Sequence, residues 1–103
     1  MPRPVSVLVT YRPKPGAERR LLSLVRRHWA TLREAGLVTA SRATVWRASD
    51  KRTGRRFFVE TFEWKSTRAS DRAHRDPAVL AVWQPMEPLL ESMDIAKVER
   101  VTS

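Results

Sequence analysis

The sequence predicts one α+β domain, residues 1–103, in which two helices lie on one face of a four-stranded antiparallel sheet. Three observations support this fold. Apolar residues alternate with period two in the predicted strands, they recur every three or four residues between them, and prolines and glycines separate the elements. The order β-α-β-β-α-β is that of the ferredoxin-like fold. A chain of 103 residues has the usual length of one such domain.

The first half of the chain supplies a strand, a helix and a second strand. Residues 5–11 carry an apolar side chain at every second position, and the segment Pro13-Lys14-Pro15-Gly16 ends this strand. Residues 17–35 show an apolar stripe at helical spacing, and Gly36 stands where a helix end favours a left-handed residue. Residues 42–48 are predicted to form the next strand, and a polar hairpin loop follows over residues 49–56.

The second half begins with a strand over residues 57–64. Ser66 is predicted to cap a short helix that ends near residue 75. Asp76-Pro77 begins the helix again, because aspartate is a good N-cap and proline suits the first helical position. Pro85 and Pro88 predict a kink or short turns up to residue 91. Residues 93–101 form the last predicted strand.

The strand over residues 57–64 carries bulky side chains on both faces, and such a strand is normally covered on both sides. Two helices cover only one side of the sheet, and large bare apolar patches are rare on soluble monomers. We therefore expect a homodimer, since twofold pairing is the most common assembly. The candidate interface residues are Phe57 and Val59 on one face and Phe58 and Phe62 on the other, and the pattern does not decide which face meets the partner.

The chain is strongly basic, with 20 Lys and Arg against 11 Asp and Glu and a formal net charge of +9. Such a surplus attracts anions, but an arginine-rich solvated surface explains it as well. The third strand lacks the glycine and aromatic spacing with which ferredoxin-like domains stack RNA bases. Nucleic acid is therefore not the expected partner.

The absence of cysteine excludes disulfides, thiol catalysis and thiolate metal sites. His28 and His74 are the only histidines, and two distant histidines do not supply the three or four ligands that a metal site needs. The sequence shows neither an apolar signal core nor a run of about 20 apolar residues. We expect a cytoplasmic protein without a bound metal and without a membrane partner.

Four segments, VLVTYRPKPG, LLSLVRRHWATLREAGLVT, FFVETFEWKS and RAHRDPAVLAVWQPME, resemble the dimeric α+β barrel superfamily. Within it, the chain is most similar to the antibiotic-biosynthesis-monooxygenase-like (ABM) domains, over roughly residues 4 to 101. The resemblance implies a homodimer that binds a small aromatic ligand, and possible oxygenation of a phenolic or quinol metabolite without a cofactor. The alternatives are a non-catalytic ligand-binding or interaction module of the same fold and, third, a basic nucleic-acid-associated protein.

Oxygenation of this kind needs a dry pocket and a base. The candidate pocket residues are the large aromatic and thioether side chains Tyr11, Trp29, Trp46, Trp64, Trp83 and Met86. His74 is the candidate catalytic residue, either as the base or as the group that orients the phenolate. The same aromatic residues could equally fill an ordinary core, since a mostly apolar cavity has the same sequence pattern.

The haem-degrading members of the superfamily hold haem between a strand tryptophan and a helix histidine. The resemblance would give these roles to Trp64 and His74. The asparagine that those members carry on the first strand has no match among residues 5–11. We therefore predict no haem and no other cofactor.

Three further titratable residues have less specific interpretations. Glu60 and Glu63 point to opposite faces of their strand, so they cannot converge on one substrate bond as a catalytic pair does. We interpret them as solvated or arginine-paired glutamates. His28 falls on the apolar stripe of the first helix and is predicted to be a core residue that makes a hydrogen bond.

Overall fold

The computed structural model describes residues 3–102, and the order of its elements confirms the predicted ferredoxin-like α+β fold. The elements are β1 (Val5–Pro13), α1 (Glu18–Glu34), β2 (Thr44–Ser49), β3 (Arg56–Trp64), α2 (Thr67–Ala73), α3 (Pro77–Met86) and β4 (Leu90–Lys97), with a 3₁₀ turn over Glu87–Leu89. The second helical region is divided into α2 and α3 where Asp76-Pro77 predicts a new start. No helix within residues 3–102 is long and apolar enough to cross a membrane.

The bounds of the last strand differ from the prediction. β4 begins at Leu90 rather than at residue 93, and it ends at Lys97 rather than at residue 101. Its start is set by pairing, because Pro13 at the end of β1 lies opposite Leu90 across a register shift. The extra residue at this shift is Glu91 of β4, which lies between the residues that pair with Arg12 and Pro13. The period-two pattern of the sequence does not predict it.

The strands are ordered β2-β3-β1-β4 in the sheet, and each pair of neighbours is antiparallel. β1 and β3 form the centre, with Val9 opposite Glu60 and Tyr11 opposite Phe58. Side chains alternate between the two faces of a strand, and directly opposed residues share a face. This register therefore places Tyr11, Phe58 and Glu60 together on the side of the sheet that the helices cover.

α1 packs on the sheet through the apolar stripe that the sequence predicts. Leu21, Val25, His28 and Leu32 are buried along one side of the helix, while its five arginines are exposed. Full burial of a leucine or valine side chain contributes about 1.5–3 kcal/mol. The separation of apolar and basic residues on α1 therefore fixes which side of the helix faces the sheet.

The face of the sheet opposite the helices is not covered by any part of residues 3–102, and we call it the open face. It carries Leu8 and Thr10 of β1, Phe57 and Val59 of β3, and Trp46 of β2. The β1 and β3 residues are half-buried, and Trp46 is 50% exposed. This face is the surface left for another molecule to cover.

Only two of the four predicted interface residues lie on the open face. Phe57 and Val59 do so, whereas Phe58 and Phe62 are buried beneath the helices, with 1% and 6% exposure. The prediction of Phe58 and Phe62 as interface residues is wrong, because the even-numbered positions of β3 face the helices.

The two helix starts that precede the cavity-lining residues are capped as predicted. The Ser66 hydroxyl accepts a hydrogen bond from the backbone N–H of Ala69. The Asp76 carboxylate accepts from the backbone N–H groups of both Ala78 and Val79. These caps satisfy donors that have no partner within the first helical turn.

Replacing Asp76 by alanine should lower the free energy of unfolding by about 1 kcal/mol, because two backbone donors at the start of α3 lose their acceptor. Urea denaturation at matched protein concentration measures this difference. Glu99→Ala, at an exposed site after β4, is the control and should change stability by less than about 0.5 kcal/mol. A loss in Asp76→Ala no larger than that of the control contradicts the capping role.

Candidate functional site

A cavity of about 750 Å³ lies between the helix-facing side of the sheet and the helices α2 and α3. This volume falls in the range of roughly 300–1,000 Å³ that is typical of ligand sites. The cavity walls are mostly apolar and include Val5, Val7, Val9, Phe62, Trp64 and Met86.

β1 runs along the length of the cavity. Every second residue from Val5 to Tyr11 lines it, a distance of about 20 Å at about 3.4 Å per residue. On the β4 side, Met93 and Ile95 line the cavity and are 45% and 62% exposed. The helices leave this side uncovered, so the cavity reaches the surface along β4.

A hydrogen-bonded network of four side chains from four different elements lies at the Tyr11 end. The Tyr11 hydroxyl donates to Glu60 Oε1 at 2.6 Å, and His28 Nδ1 lies 2.9 Å from the same oxygen. Trp83 Nε1 donates to His28 Nε2 at 2.8 Å. Tyr11, His28 and Trp83 line the cavity, whereas Glu60 has no exposed surface.

These contacts determine which nitrogen of His28 carries the proton. An indole N–H can only donate, so His28 Nε2 must be the unprotonated acceptor. Nδ1 therefore carries the hydrogen and donates it to Glu60. Since the Tyr11 hydroxyl donates as well, Glu60 Oε1 accepts two hydrogen bonds in the interior of the protein.

The other carboxylate oxygen, Glu60 Oε2, is buried without a hydrogen-bond partner among the described residues. A buried polar atom without a partner costs about 1–3 kcal/mol. An apolar residue at position 60 would avoid this cost. Such a costly group in a native core calls for an explanation other than packing.

The pKa of Tyr11 is raised well above its ordinary value of 10.0, first by burial and then by the charge and hydrogen bonding of Glu60. Tyr11 therefore stays protonated at neutral pH. In that form it acts only as a hydrogen-bond donor toward Glu60.

His74, the predicted catalytic residue, follows the last residue of α2 and lies at the rim of the cavity. Its side chain is exposed, and its Nδ1 lies 2.9 Å from the carbonyl oxygen of Ser70. A carbonyl oxygen only accepts, so Nδ1 carries the proton and Nε2 keeps a free lone pair. The imidazole also meets the Trp83 indole edge to face, with ring centroids 4.9 Å apart.

The structure brings four of the six predicted pocket residues to the cavity. These are Tyr11, Trp64, Trp83 and Met86, so the aromatic side chains leave a space between them rather than packing solid.

Trp29 and Trp46 do not line this cavity, and their assignment to it is wrong. Trp46 pairs with Val59 and therefore projects from the open face. Trp29 is half-buried on α1, where the Arg42 guanidinium lies 5.9 Å from its ring centroid. Strand and helix periodicity, rather than aromatic character, separates these two tryptophans from the others.

Glu60 is the residue whose role the sequence interpretation missed. It is neither solvated nor paired with arginine, and instead accepts hydrogen bonds from Tyr11 and His28 in the core. The sequence does contain a signal for this burial, because Glu60 shares one face of β3 with Phe58 and Phe62 and that face is apolar. Glu63 does lie on the other face, where it accepts a hydrogen bond from the Thr39 hydroxyl.

The arrangement is suited to an apolar or aromatic ligand with a polar group. The walls are mostly apolar, Tyr11, His28 and Trp83 of the network border the cavity, and His74 supplies an available base at the rim. Within residues 3–102, no three His, Asp or Glu side chains cluster closely enough to hold a metal ion.

Comparison with solved structures gives likenesses that cover almost the whole chain. SnoaB from Streptomyces nogalater, described as a cofactor-independent oxygenase, superposes with a TM-score of 0.72 and 18% identity, over 98% of this chain and 96% of that one. PA3566 from Pseudomonas aeruginosa gives 0.72 and 20% over 99% and 98%. A structure described as an antibiotic biosynthesis monooxygenase gives 0.70 and 18% over 95% and 99%.

At such low identity these likenesses establish the fold. The chain has the ferredoxin-like α+β fold of the ABM domains, as its sequence segments predict. No family model matches the chain, and no curated protein does.

Tyr11 is the only tyrosine in the chain, so tyrosinate absorbance reports on it alone. We expect Tyr11 of the folded protein to titrate well above pH 10, and the unfolded protein in denaturant to titrate near the ordinary value of about 10. Above that pH the folded state binds more protons than the unfolded state, so stability should fall as pH rises and should keep its full Tyr11 contribution below pH 10.

Glu60→Gln should lower the Tyr11 pKa relative to the parent protein, because it removes the charge of Glu60. If Tyr11 of the folded parent protein titrates at the ordinary tyrosine pKa of about 10, the buried geometry of Tyr11 is contradicted.

Proposed function

We propose that this protein is a homodimer that binds a phenolic or quinol small molecule and oxygenates it with O₂ without a cofactor. The observation that carries the proposal is the apolar cavity of about 750 Å³ with a free imidazole nitrogen at its rim. The fold likeness to SnoaB, described as a cofactor-independent oxygenase, supports the reaction class.

In this reaction the ligand itself supplies the electrons. Removal of the hydroxyl proton gives a phenolate, which reduces O₂, and one oxygen atom forms a bond to a ring carbon. The O–O bond then breaks. For 1-naphthol, one O₂ yields 1,4-naphthoquinone and one water, because the ring hydrogen and the hydroxyl hydrogen leave with the second oxygen atom. The protein needs to remove a proton, orient the ring and exclude water.

His74 is the proposed base. Its Nε2 has a free lone pair because Nδ1 donates to the Ser70 carbonyl, and histidine exchanges protons near neutral pH. The exposed position of the ring allows it to return the proton to solvent. Lys97 lines the same cavity, and its positive charge favours the phenolate over the neutral phenol.

A second copy of the chain is the proposed cover of the open face. The centre of that face is apolar around Leu8 and Val59. Among the strand residues that project from it, Arg12 is the one cation, and Glu63 and Asp94 are carboxylates. The positive charge of the chain therefore lies elsewhere, and two open faces can meet without strong repulsion.

Oxygen consumption with a panel of naphthols and hydroquinones tests the reaction. His74→Ala should lower turnover by about a hundredfold or more, the usual contribution of a general base, and should retain binding of 1-naphthol. Arg75→Ala, at the exposed neighbouring position, is the control and should retain turnover.

The possible outcomes of this experiment separate the alternatives. Unchanged turnover in His74→Ala rejects His74 as the base. If the parent protein binds 1-naphthol but consumes no oxygen with any member of the panel, the non-catalytic binding module is the better description.

Sedimentation equilibrium tests the dimer. The parent protein should sediment at about twice the chain mass of 11.9 kDa. Val59→Lys should shift it toward the single chain, because a charge at the centre of the open face opposes pairing. Ala30→Lys, on the exposed side of α1, should remain dimeric. A folded parent protein that sediments as a single chain at micromolar concentration contradicts the pairing.

A further inference from the structure

We infer that Glu60 and His28 are positioning residues that hold the Trp83 indole in one orientation across the wall of the cavity. Glu60 fixes the tautomer of His28, and that tautomer alone can accept the Trp83 N–H. The inference concerns the shape of the site, so it holds whichever ligand the cavity binds and whether or not the ligand is oxygenated.

The network connects elements that are distant in sequence. Glu60 lies on β3, His28 on α1 and Trp83 on α3, and the His28–Trp83 bond joins residues 55 positions apart. Glu60 is 0% exposed and His28 3%, whereas Trp83 is half-buried and borders the cavity. The network therefore extends from the protein interior to the cavity wall, and the charged carboxylate of Glu60 lies at its interior end.

The orientation of Trp83 depends on the proton position in His28. If the hydrogen moved to Nε2, two N–H donors would face each other across 2.8 Å, and the Nδ1 lone pair would face the Glu60 oxygen at 2.9 Å. The carboxylate makes that alternative unfavourable, because it can only accept when ionised. Glu60 therefore acts on Trp83 through His28.

Trp83 is also in contact with His74, so the network reaches the rim of the cavity. The Trp83 ring lies between the two imidazoles, with centroids 6.1 Å from His28 and 4.9 Å from His74. A freely rotating indole at this point would change both the width of the cavity and the face that His74 meets. The hydrogen bond to His28 removes that freedom.

Tyr11 completes the arrangement as the second donor to Glu60. Its hydroxyl donates to the oxygen that also accepts from His28, and it lies 3.4 Å from His28 Nδ1. The two donors hold the carboxylate in place between β1 and α1. The buried Glu60 therefore accepts two hydrogen bonds and fixes the tautomer of His28, which an apolar side chain of similar size cannot do.

The parent protein provides the first test, by nitrogen-15 NMR of the histidine rings and the tryptophan side chains. We expect neutral His28 in the Nδ1–H tautomer, with a hydrogen bond from the Trp83 indole detected at His28 Nε2. Trp83→Phe assigns the indole signal among the four tryptophans. His28 in the Nε2–H tautomer overturns the inference, and this measurement needs no variant at position 60.

Variants at position 60 provide the second test. Glu60→Met removes the acceptor and should release the Trp83 indole, seen as a shifted signal and faster exchange of its N–H with solvent. Glu60→Gln keeps an acceptor oxygen and should restore the parent signal. Glu63→Met, on the opposite face of the same strand, is the matched control. An unchanged Trp83 signal and exchange rate in folded Glu60→Met overturns the inference.

Binding of 1-naphthol, measured by calorimetry, connects the network to the site. If the released indole takes its native orientation only about a fifth of the time, the Kd should rise about fivefold in Glu60→Met. Glu60→Gln and Glu63→Met should bind as the parent does. Equal affinity of Glu60→Met and the parent contradicts the effect on the cavity. A parent protein that binds no member of the panel of naphthols and hydroquinones contradicts the proposed function, and the tautomer and indole signals then decide the inference by themselves.

Discussion

The carboxylate of Glu60 lies inside the protein because the pairing of β1 with β3 places Val9 opposite it on the helix side of the sheet. A shift of this register by one residue would turn Glu60 to the open face and bring its neighbours into the core. Once the carboxylate is buried, it needs donors, and Tyr11 and His28 supply them from the adjacent strand and the covering helix. The orientation of Trp83, and with it one wall of the cavity, follows from how this single group is satisfied.

The two faces of the sheet have different surroundings, because the helices cover only one of them. The helix side holds the core and the cavity, and its apolar residues are buried within one chain. The open face has Leu8, Phe57 and Val59 half-buried and Trp46 half-exposed, with little of the net charge of the chain. Ligand and partner are therefore expected on opposite sides of the same four strands. A change on the open face can alter assembly without touching a cavity-lining side chain.

The candidate site was predictable where it follows the period of an element. Tyr11 and Trp64 occupy strand positions that alternate onto the helix side, and Trp83 and Met86 lie in the last helix. The assignment of Trp46 to the cavity is wrong because strand alternation, and not aromatic character, determines which face of the sheet a residue occupies. Glu60 was misread for a different reason: a charged residue is usually solvated, and the donors that make its burial tolerable lie 49 and 32 positions away in the chain.

The sequence by itself determined the order of elements, both helix caps, the apolar stripe of α1 and the two-sided character of β3, because each depends on spacing between neighbours in the chain. Only the tertiary structure decided which face of β3 the helices cover, where β4 begins, and that Tyr11, His28, Glu60 and Trp83 meet. Those outcomes depend on strand register and on the packing of α1 and α3 over the sheet. Contacts of this kind join residues tens of positions apart, so the local periodicity of the sequence does not predict them.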